Sequence, residues 1–430
     1  MKRILALLLC AVMAFSLMAG CSTNKDADEP DESTGSDVSP ETEAKDEITV
    51  MVPDWAVPTD EMLDEFESET GIGVTISTVG WDDIRGKIAI AAAGGAAAAD
   101  VVEVDWSWLG EFDAANWLEP LDVPDEDKED MPTLTAFTAA DGRVLAMPYA
   151  NDFRLAYYNT EMFEEAGIEK APETWDEVYD AMVKLKTSGV CEYPFAMPMN
   201  ADESATTSMI WMAFANFGQV FNEDRTLNEE AVSFALSYLN RMVEEGLCDP
   251  TIKTASGMEV YHKLTAGEAA FIVGPTSFVS RVNDPSESAV VGKVQPILLP
   301  GKEAPSEKTF ALPEGVGVTS FSQHKEAAKK YVAWFTSPET QVKLNAAQNA
   351  IPTRSSILEK LIEEEVLKNT GAMLEESYRI ASPFPGGVPE YYSEMSNAIY
   401  NEINAMVLGN VTPEEAFKNM SAKVSELAAR

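Results

Sequence analysis

Apolar and polar residues alternate over 48–52, the period of a half-buried strand, and a Pro-rich loop carrying Asp54 and Trp55 follows. After Thr59 the pattern turns helical: Met62, Leu63 and Phe66 recur on one face, and Gly71 stops the run. A second strand pattern covers 74–79, and Trp81 opens the next connection. Residues 84–93 read as a helix running into an Ala/Gly stretch that ends at Ala99. Asp100 precedes a third, apolar strand over 101–104, which stops at Asp105 and Trp106. Strand, helix, strand, helix, strand in this order predicts a parallel sheet with crossover helices.

Further along, Thr174 with Glu177 three residues later predicts a capping box opening a helix over 175–187, closed by Gly189. Helical periodicity also marks 204–216, 229–245, 259–266, 325–336, 338–347, 357–368, 394–407 and 412–427. No internal repeat is evident. The fold class is α/β with a helix-rich second half, and the alternation of elements runs over too much chain for one lobe.

The first residues differ in kind. Lys2 and Arg3 precede an apolar run over 4–20, and the small residues Ala19 and Gly20 lead directly to Cys21. A spanning helix needs ~20 apolar residues; a charged start, a short apolar core and a small-residue exit describe a secretory signal instead. The Met-Ala-Gly-Cys ending resembles a bacterial lipobox, with Met18 in place of the usual Leu, which implies acylation of Cys21. Residues 22–47 are rich in Asp, Glu, Ser, Thr and Pro and hold almost no large apolar side chains. Such a segment cannot offset the entropy of ordering and reads as a tether. The remainder of the 430 residues is long enough for two core-bearing domains.

The formal charge of −41 argues against nucleic acid, anionic lipid surfaces and phosphate-like ligands as partners. Of four cysteines, Cys10 belongs to the signal and Cys21 ends it. Cys191 and Cys248 remain, and in an oxidising compartment two such residues can pair, so a disulfide between them stays open.

Tryptophan and acidic residues recur just after strands: Asp54 and Trp55, Trp81, then Asp105 and Trp106. In open parallel sheets ligands sit outside the carboxyl ends of the strands. Three successive loops of this kind would build one wall of a polar-aromatic cleft. Sugars need that mixture, because their C–H faces stack on rings while their hydroxyls bond to carboxylates and amides.

Several segments resemble one family. They include Phe66 through Val74, Asp100-Val-Val through Trp117-Leu-Glu-Pro-Leu121, and Gly142 through Tyr149. Tyr157 through Phe163, Ala171 through Glu177, Gly267 through Pro275, and Gly315 through Ser320 followed by Ser337-Pro-Glu complete the order. Together they resemble the bacterial extracellular solute-binding proteins of family 1, the sugar-binding lipoproteins of ABC importers, over essentially all of the chain after the tether. The resemblance implies a periplasmic-binding-protein fold: two α/β lobes with a ligand cleft between them and hinge strands that cross from one to the other. The first lobe would take 47–152 plus 274–321 and the second 153–273 plus 322–430, with crossings at 148–154 and 271–275. It implies extracytoplasmic capture of a mono- or oligosaccharide by lobe closure and delivery to membrane permease subunits, by a monomer without cofactor or metal. Asn151 and Asp152 fall near the hinge, Asp152 on an acidic position that accepts sugar hydroxyls. Thr276 stands where the maltose-binding member carries a stacking Trp, so that platform is missing. Trp211, or Tyr391 and Tyr392 after a Pro/Gly-rich loop, could supply an aromatic surface instead.

Other classes fit less well. A glycosidase would need a carboxylate pair across a cleft, and no catalytic motif accompanies the acids. The two histidines, His262 and His324, lie far apart with no Cys-x-x-Cys, against zinc. A polyamine receptor of the same fold is the alternative within the binding class, distinguished by several acids where a sugar site mixes acids and amides. A surface adhesin predicts no closable cleft.

Overall fold

The computed structural model describes residues 46–430; the signal, the Cys21 acylation and the tether expected from sequence, up to residue 45, lie outside the described residues. Nine strands are formed among the described residues: β1 (Glu47–Val52), β2 (Gly73–Thr78), β3 (Val101–Asp105), β4 (Met147–Ala150), β5 (Arg154–Asn159), β6 (Phe195–Ala196), β7 (Phe271–Pro275), β8 (Val294–Ile297) and β9 (Glu314–Val318). They make two sheets, ordered β2-β1-β3-β9-β4 and β6-β7-β5-β8. In the first, β1 runs parallel to β2 and β3, whereas β9 is antiparallel to both β3 and β4.

The helix Asp60–Thr70 links β1 to β2. Thr59 caps it by accepting from the Met62 N–H at 3.3 Å, and Gly71 ends it at φ 75°, a backbone angle glycine adopts without strain. The helix Trp81–Ala93 then leads to β3, whose five residues are all buried, as expected for a strand covered on both faces. In the second half, the predicted capping box forms: Thr174 accepts from the Glu177 N–H at 3.2 Å and Glu177 accepts from the Thr174 N–H. Behind the second sheet, helices Glu203–Phe217, Glu229–Glu244, Tyr392–Val407 and Pro413–Ala428 pack against one another.

Two segments fall with the sheet opposite to the one expected. β8 lies within 274–321 but pairs antiparallel with β5, Ala156 facing Ile297 and Asn159 facing Val294. The helix Lys325–Phe335 lies within 322–430 but covers the first sheet, where Ala328, Tyr331, Val332 and Phe335 join the core of Ile48, Val50, Phe66 and Val316. Its apolar stripe has helical spacing and follows β9 directly, so it folds back on the sheet it has just left. Nor does 271–275 cross between sheets; it is β7, wholly in the second. Sequence patterning reveals a strand or an apolar stripe, but not which of two sheets receives it.

The chain passes between the sheets at 151–153, at 298–313 and again at 349–354, and these passages lie side by side. Asn151 N–H donates to Ile351 O at 2.8 Å, and Leu312 N–H to Asp152 O at 2.5 Å. Phe153 bridges to Ala311, and Thr353 Oγ1 donates to Pro148 O at 3.0 Å. Cys191 and Cys248 are both buried free thiols, so the disulfide left open from sequence is not formed. Cys191 Sγ instead points to the Glu268 carbonyl at 3.6 Å, and burial pushes both thiols up from their ordinary pKa.

Candidate functional site

The turns that follow the strands of the first sheet meet the crossing passages and the second lobe. After β1, the 3-10 turn Asp54–Ala56 carries Trp55, 44% exposed, whose indole N–H donates to Glu314 Oε2 at 2.6 Å. Asp54 accepts from the N–H of its neighbour Trp55 at 3.0 Å. After β3, the turn Trp106–Trp108 is capped by Asp105, which accepts from the Ser107 N–H at 2.8 Å and from the Ser107 hydroxyl. Trp81 packs on Trp108 at 5.2 Å.

Trp106 is 4% exposed and therefore no open platform. Its ring is edge-on to Phe310 at 4.9 Å and to Tyr392 at 5.0 Å, and stacks near Phe384 at 6.0 Å. Phe310 belongs to the second crossing, while Tyr392 opens a helix packed in the second lobe. The two lobes thus touch through Trp106. Gly110, two residues beyond this turn, lies against the Val388–Glu390 backbone so closely that a Cβ there would collide with it.

At the first crossing, Asp152 pairs with Arg154 at 2.5 Å while its Oδ1 has no partner. Asn151 is buried with its Oδ1 unpartnered as well. The Arg154 guanidinium lies 4.2 Å above the Trp211 ring. Trp211 is itself buried and donates its indole N–H to Phe310 O at 3.0 Å, so it packs the crossing and offers no open face. Thr276 is fully buried and donates to Asn151 O at 3.2 Å, which also makes it a brace. Tyr392 is buried, and its hydroxyl donates to Glu203 Oε1 at 2.5 Å. The half-buried Tyr391 carries a hydroxyl without a partner.

Glu103, Tyr149, Glu203 and Glu314 escaped the sequence reading. Glu103 had a signal, a lone acid inside the apolar run Val101 to Val104. The others had none, since a Glu at a helix start or before a glycine-rich strand is ordinary. Burial raises Asp105 to about 6, with the Asp152 charge adding to it and the Ser107 hydrogen bonds opposing. Burial likewise raises Glu203 to about 7, against the hydrogen bonds of Ser396 and Tyr392 and with the Asp105 charge. Glu314 also rises to about 7, chiefly by burial, opposed by Tyr149 and Trp55 and aided by Asp105 and Asp152. Carboxyls near neutrality in their pKa can donate as well as accept, which suits a ligand bearing hydroxyls.

An open groove of ≈ 640 Å³ lies off this cluster, lined by Arg85, Asn397, Asn401, Glu402, Asn419 and Lys423 among others. It contains none of the buried acids, and its amides bond to neighbours, Asn419 to Glu402 and Asn401 to Asn397. The chemistry converges instead where the lobes meet.

Two α/β lobes, adjoining crossings and an acidic, aromatic seam between them make the two-lobe periplasmic-binding-protein fold. The chain belongs to the bacterial extracellular solute-binding protein family, whose profile matches residues 53–342. It is similar to a probable amino-acid ABC transporter periplasmic-binding protein, y4oP, of Sinorhizobium fredii: 27% identical, covering 85% of each chain. Among solved structures, maltose-bound MalE3 of T. maritima matches with TM-score 0.75 at 23% identity, covering 89% of this chain and 99% of that one. A ribitol-bound ABC transporter solute-binding protein of Agrobacterium radiobacter K84 matches with TM-score 0.74 at 18% identity, covering 89% and 98%. Membership of the family places the protein outside the cytoplasm. Among the described residues no helix is long and apolar enough to cross a membrane.

Proposed function

We propose that the protein captures a carbohydrate or polyol between its lobes, without chemistry, and delivers it to the permease of an ABC importer. Cys21 would carry the lipid that holds the receptor at the membrane, and the receptor would act as a monomer without a cofactor. The observation that carries the solute class is the pair of unpartnered acceptors at the first crossing, Asn151 Oδ1 and Asp152 Oδ1, beside buried carboxyls and aromatic rings. A buried acceptor without a donor is costly, and a polyhydroxylated ligand brings donors in quantity. The maltose and ribitol bound by fold relatives support this class.

A cationic solute is the second reading. Glu103, Asp105, Glu203 and Glu314 are raised by burial and by neighbouring carboxylates, the Asp152 charge among them, and Arg154 is the guanidinium paired within the group. Acids thus outnumber the one amide, Asn151, and the Sinorhizobium relative, a probable amino-acid binding protein, also points to an ammonium-bearing solute. A thermal-shift panel on the body without signal and tether separates the two. A ligand at 100 times its Kd adds ~2.7 kcal/mol to the folded state. A shift with maltose, mannitol or ribitol supports the first reading. A shift only with spermidine or amino acids replaces it with the second, and silence across the panel removes both.

A further inference from the structure

One phenol proton lies between two buried carboxyls. The Tyr149 hydroxyl is 3.1 Å from Glu103 Oε2 and 2.8 Å from Glu314 Oε2. Glu103 is 0% exposed and Tyr149 1%. Three strands assemble them. In the β3–β9 ladder Glu103 faces Val316 while Asp105 faces Glu314, so Glu103 and Glu314 are diagonal neighbours. The β4–β9 register shifts between Pro148 and Ala150, and Tyr149 is the extra residue of that bulge. A bulge re-aims a side chain, and here it brings the phenol to both acids.

Counting protons fixes the direction of these bonds. A phenol donates one. When Glu314 is ionised, the oxygen facing the phenol accepts from both sides, from the phenol and from the Trp55 indole N–H at 2.6 Å. The remaining contact, between Tyr149 and Glu103, then needs a proton from Glu103. Glu103 Oε1 is buried with no partner, which a neutral acid tolerates far better than a carboxylate. The groups facing it supply no cation: Asp105 on its own strand, Tyr149 on β4 and Glu314 on β9; beyond them, Asp152 at the crossing is paired with the Arg154 guanidinium. The helix Lys325–Phe335 packs Phe335 on the Tyr149 ring at 5.1 Å, and its Tyr331 is a neutral phenol.

We propose that Glu103 is a buried neutral acid heading a directed chain of hydrogen bonds, Glu103 to Tyr149 to Glu314, which holds Glu314 so that it receives Trp55 and fixes that exposed indole at the edge of the cleft. Glu103 and Tyr149 are positioning residues that act on Trp55 through Glu314. When Glu103 ionises, two carboxylates compete for one phenol proton, and Trp55 loses its fixed acceptor. Burial, then the charges of Glu314 and Asp105, hold Glu103 well above the ordinary glutamate range, whereas Glu314 ionises near 7. The directed chain with Glu314 charged occupies the interval between those two steps.

No solute is needed to test this, so its failure and that of the transport reading are separable. Infrared spectra of the wild type and of Glu103→Gln are compared at about pH 9, above the ordinary carboxyl range. The account expects a protonated-carboxyl band in the wild type that is lost in the variant. The indole N–H signal of Trp55, assigned with Trp55→Phe in protein labelled with ¹⁵N at tryptophan, gives the second readout. In the wild type it should show an alkaline transition, and Glu103→Gln, whose amide can donate to Tyr149 permanently, should abolish it. Absence of the wild-type band at about pH 9, or an alkaline transition that persists in Glu103→Gln, overturns the proposal.

Discussion

The Trp106 ring stands edge-on to Tyr392 at 5.0 Å and 70°, joining the turn after β3 to the first residue of a helix in the second lobe. Aromatic contacts of this kind contribute about 0.5–1.5 kcal/mol beyond burial, and Trp106 makes three. Trp106→Ala should therefore destabilise the protein by about 3–5 kcal/mol, the usual cost of deleting a buried Trp. The radius of gyration at saturating solute should exceed that of the wild type. An unchanged scattering curve and thermal midpoint would show that Trp106 contributes little to holding the lobes together.

Gly110 offers a cleaner perturbation of the same seam. It lies in the short helix Leu109–Ala114, where alanine is otherwise favoured, but a Cβ would strike the Val388–Glu390 backbone. Gly110→Ala should weaken solute binding through closure while sparing each lobe's own core. Calorimetric Kd and the thermal midpoint separate these effects; a full loss of folding would place Gly110 in the core instead.

The two carboxylate oxygens of Asp152 differ. Oδ2 holds the 7%-exposed Arg154, while Oδ1 is buried without a partner and, in the proposed reading, accepts from the solute. Asp152→Ala should cost about 3–5 kcal/mol of stability by stranding a buried guanidinium. Asp152→Asn keeps the shape and should lose about 1.5–3 kcal/mol of solute binding with a smaller loss of stability. Equal Kd for Asp152→Asn and wild type would remove Asp152 from the site.

Stability should fall as pH rises through neutrality. Asp105 is raised to about 6, and Glu203, Glu314 and Glu376 to about 7, chiefly by burial. Folded carboxyls of this kind hold protons that the unfolded chain releases above its ordinary glutamate pKa of about 4.3. Their contribution is complete below that value and is lost as pH climbs through about 6 to 7. The thermal midpoint should be higher near pH 5 than near pH 8. A midpoint that rises across that window contradicts the assignment of these acids as buried and proton-holding.

Much of the architecture was legible because it is local. Thr59 and Gly71 bracket a helix by their own chemistry, and Thr174 with Glu177 forms its capping box within one turn. The run from β1 to β3 reads directly as strand and crossover. The long-range pairings carry no such mark: β8 joins β5 across more than a hundred residues, and the helix Lys325–Phe335 returns to the first sheet. At the seam, Trp106 was legible as a strand-end aromatic, but its burial depends on Phe310, Phe384 and Tyr392, which lie far along the chain from it. The acid chain through Tyr149 was illegible for the same reason, since a bulge against β9 aims that phenol.

Small-angle scattering during titration with the solute that shifts the thermal midpoint most tests lobe closure directly. The account predicts a fall in radius of gyration that saturates with the calorimetric Kd, in wild type but not in Gly110→Ala. A saturated protein whose scattering matches the free form would contradict capture by closure.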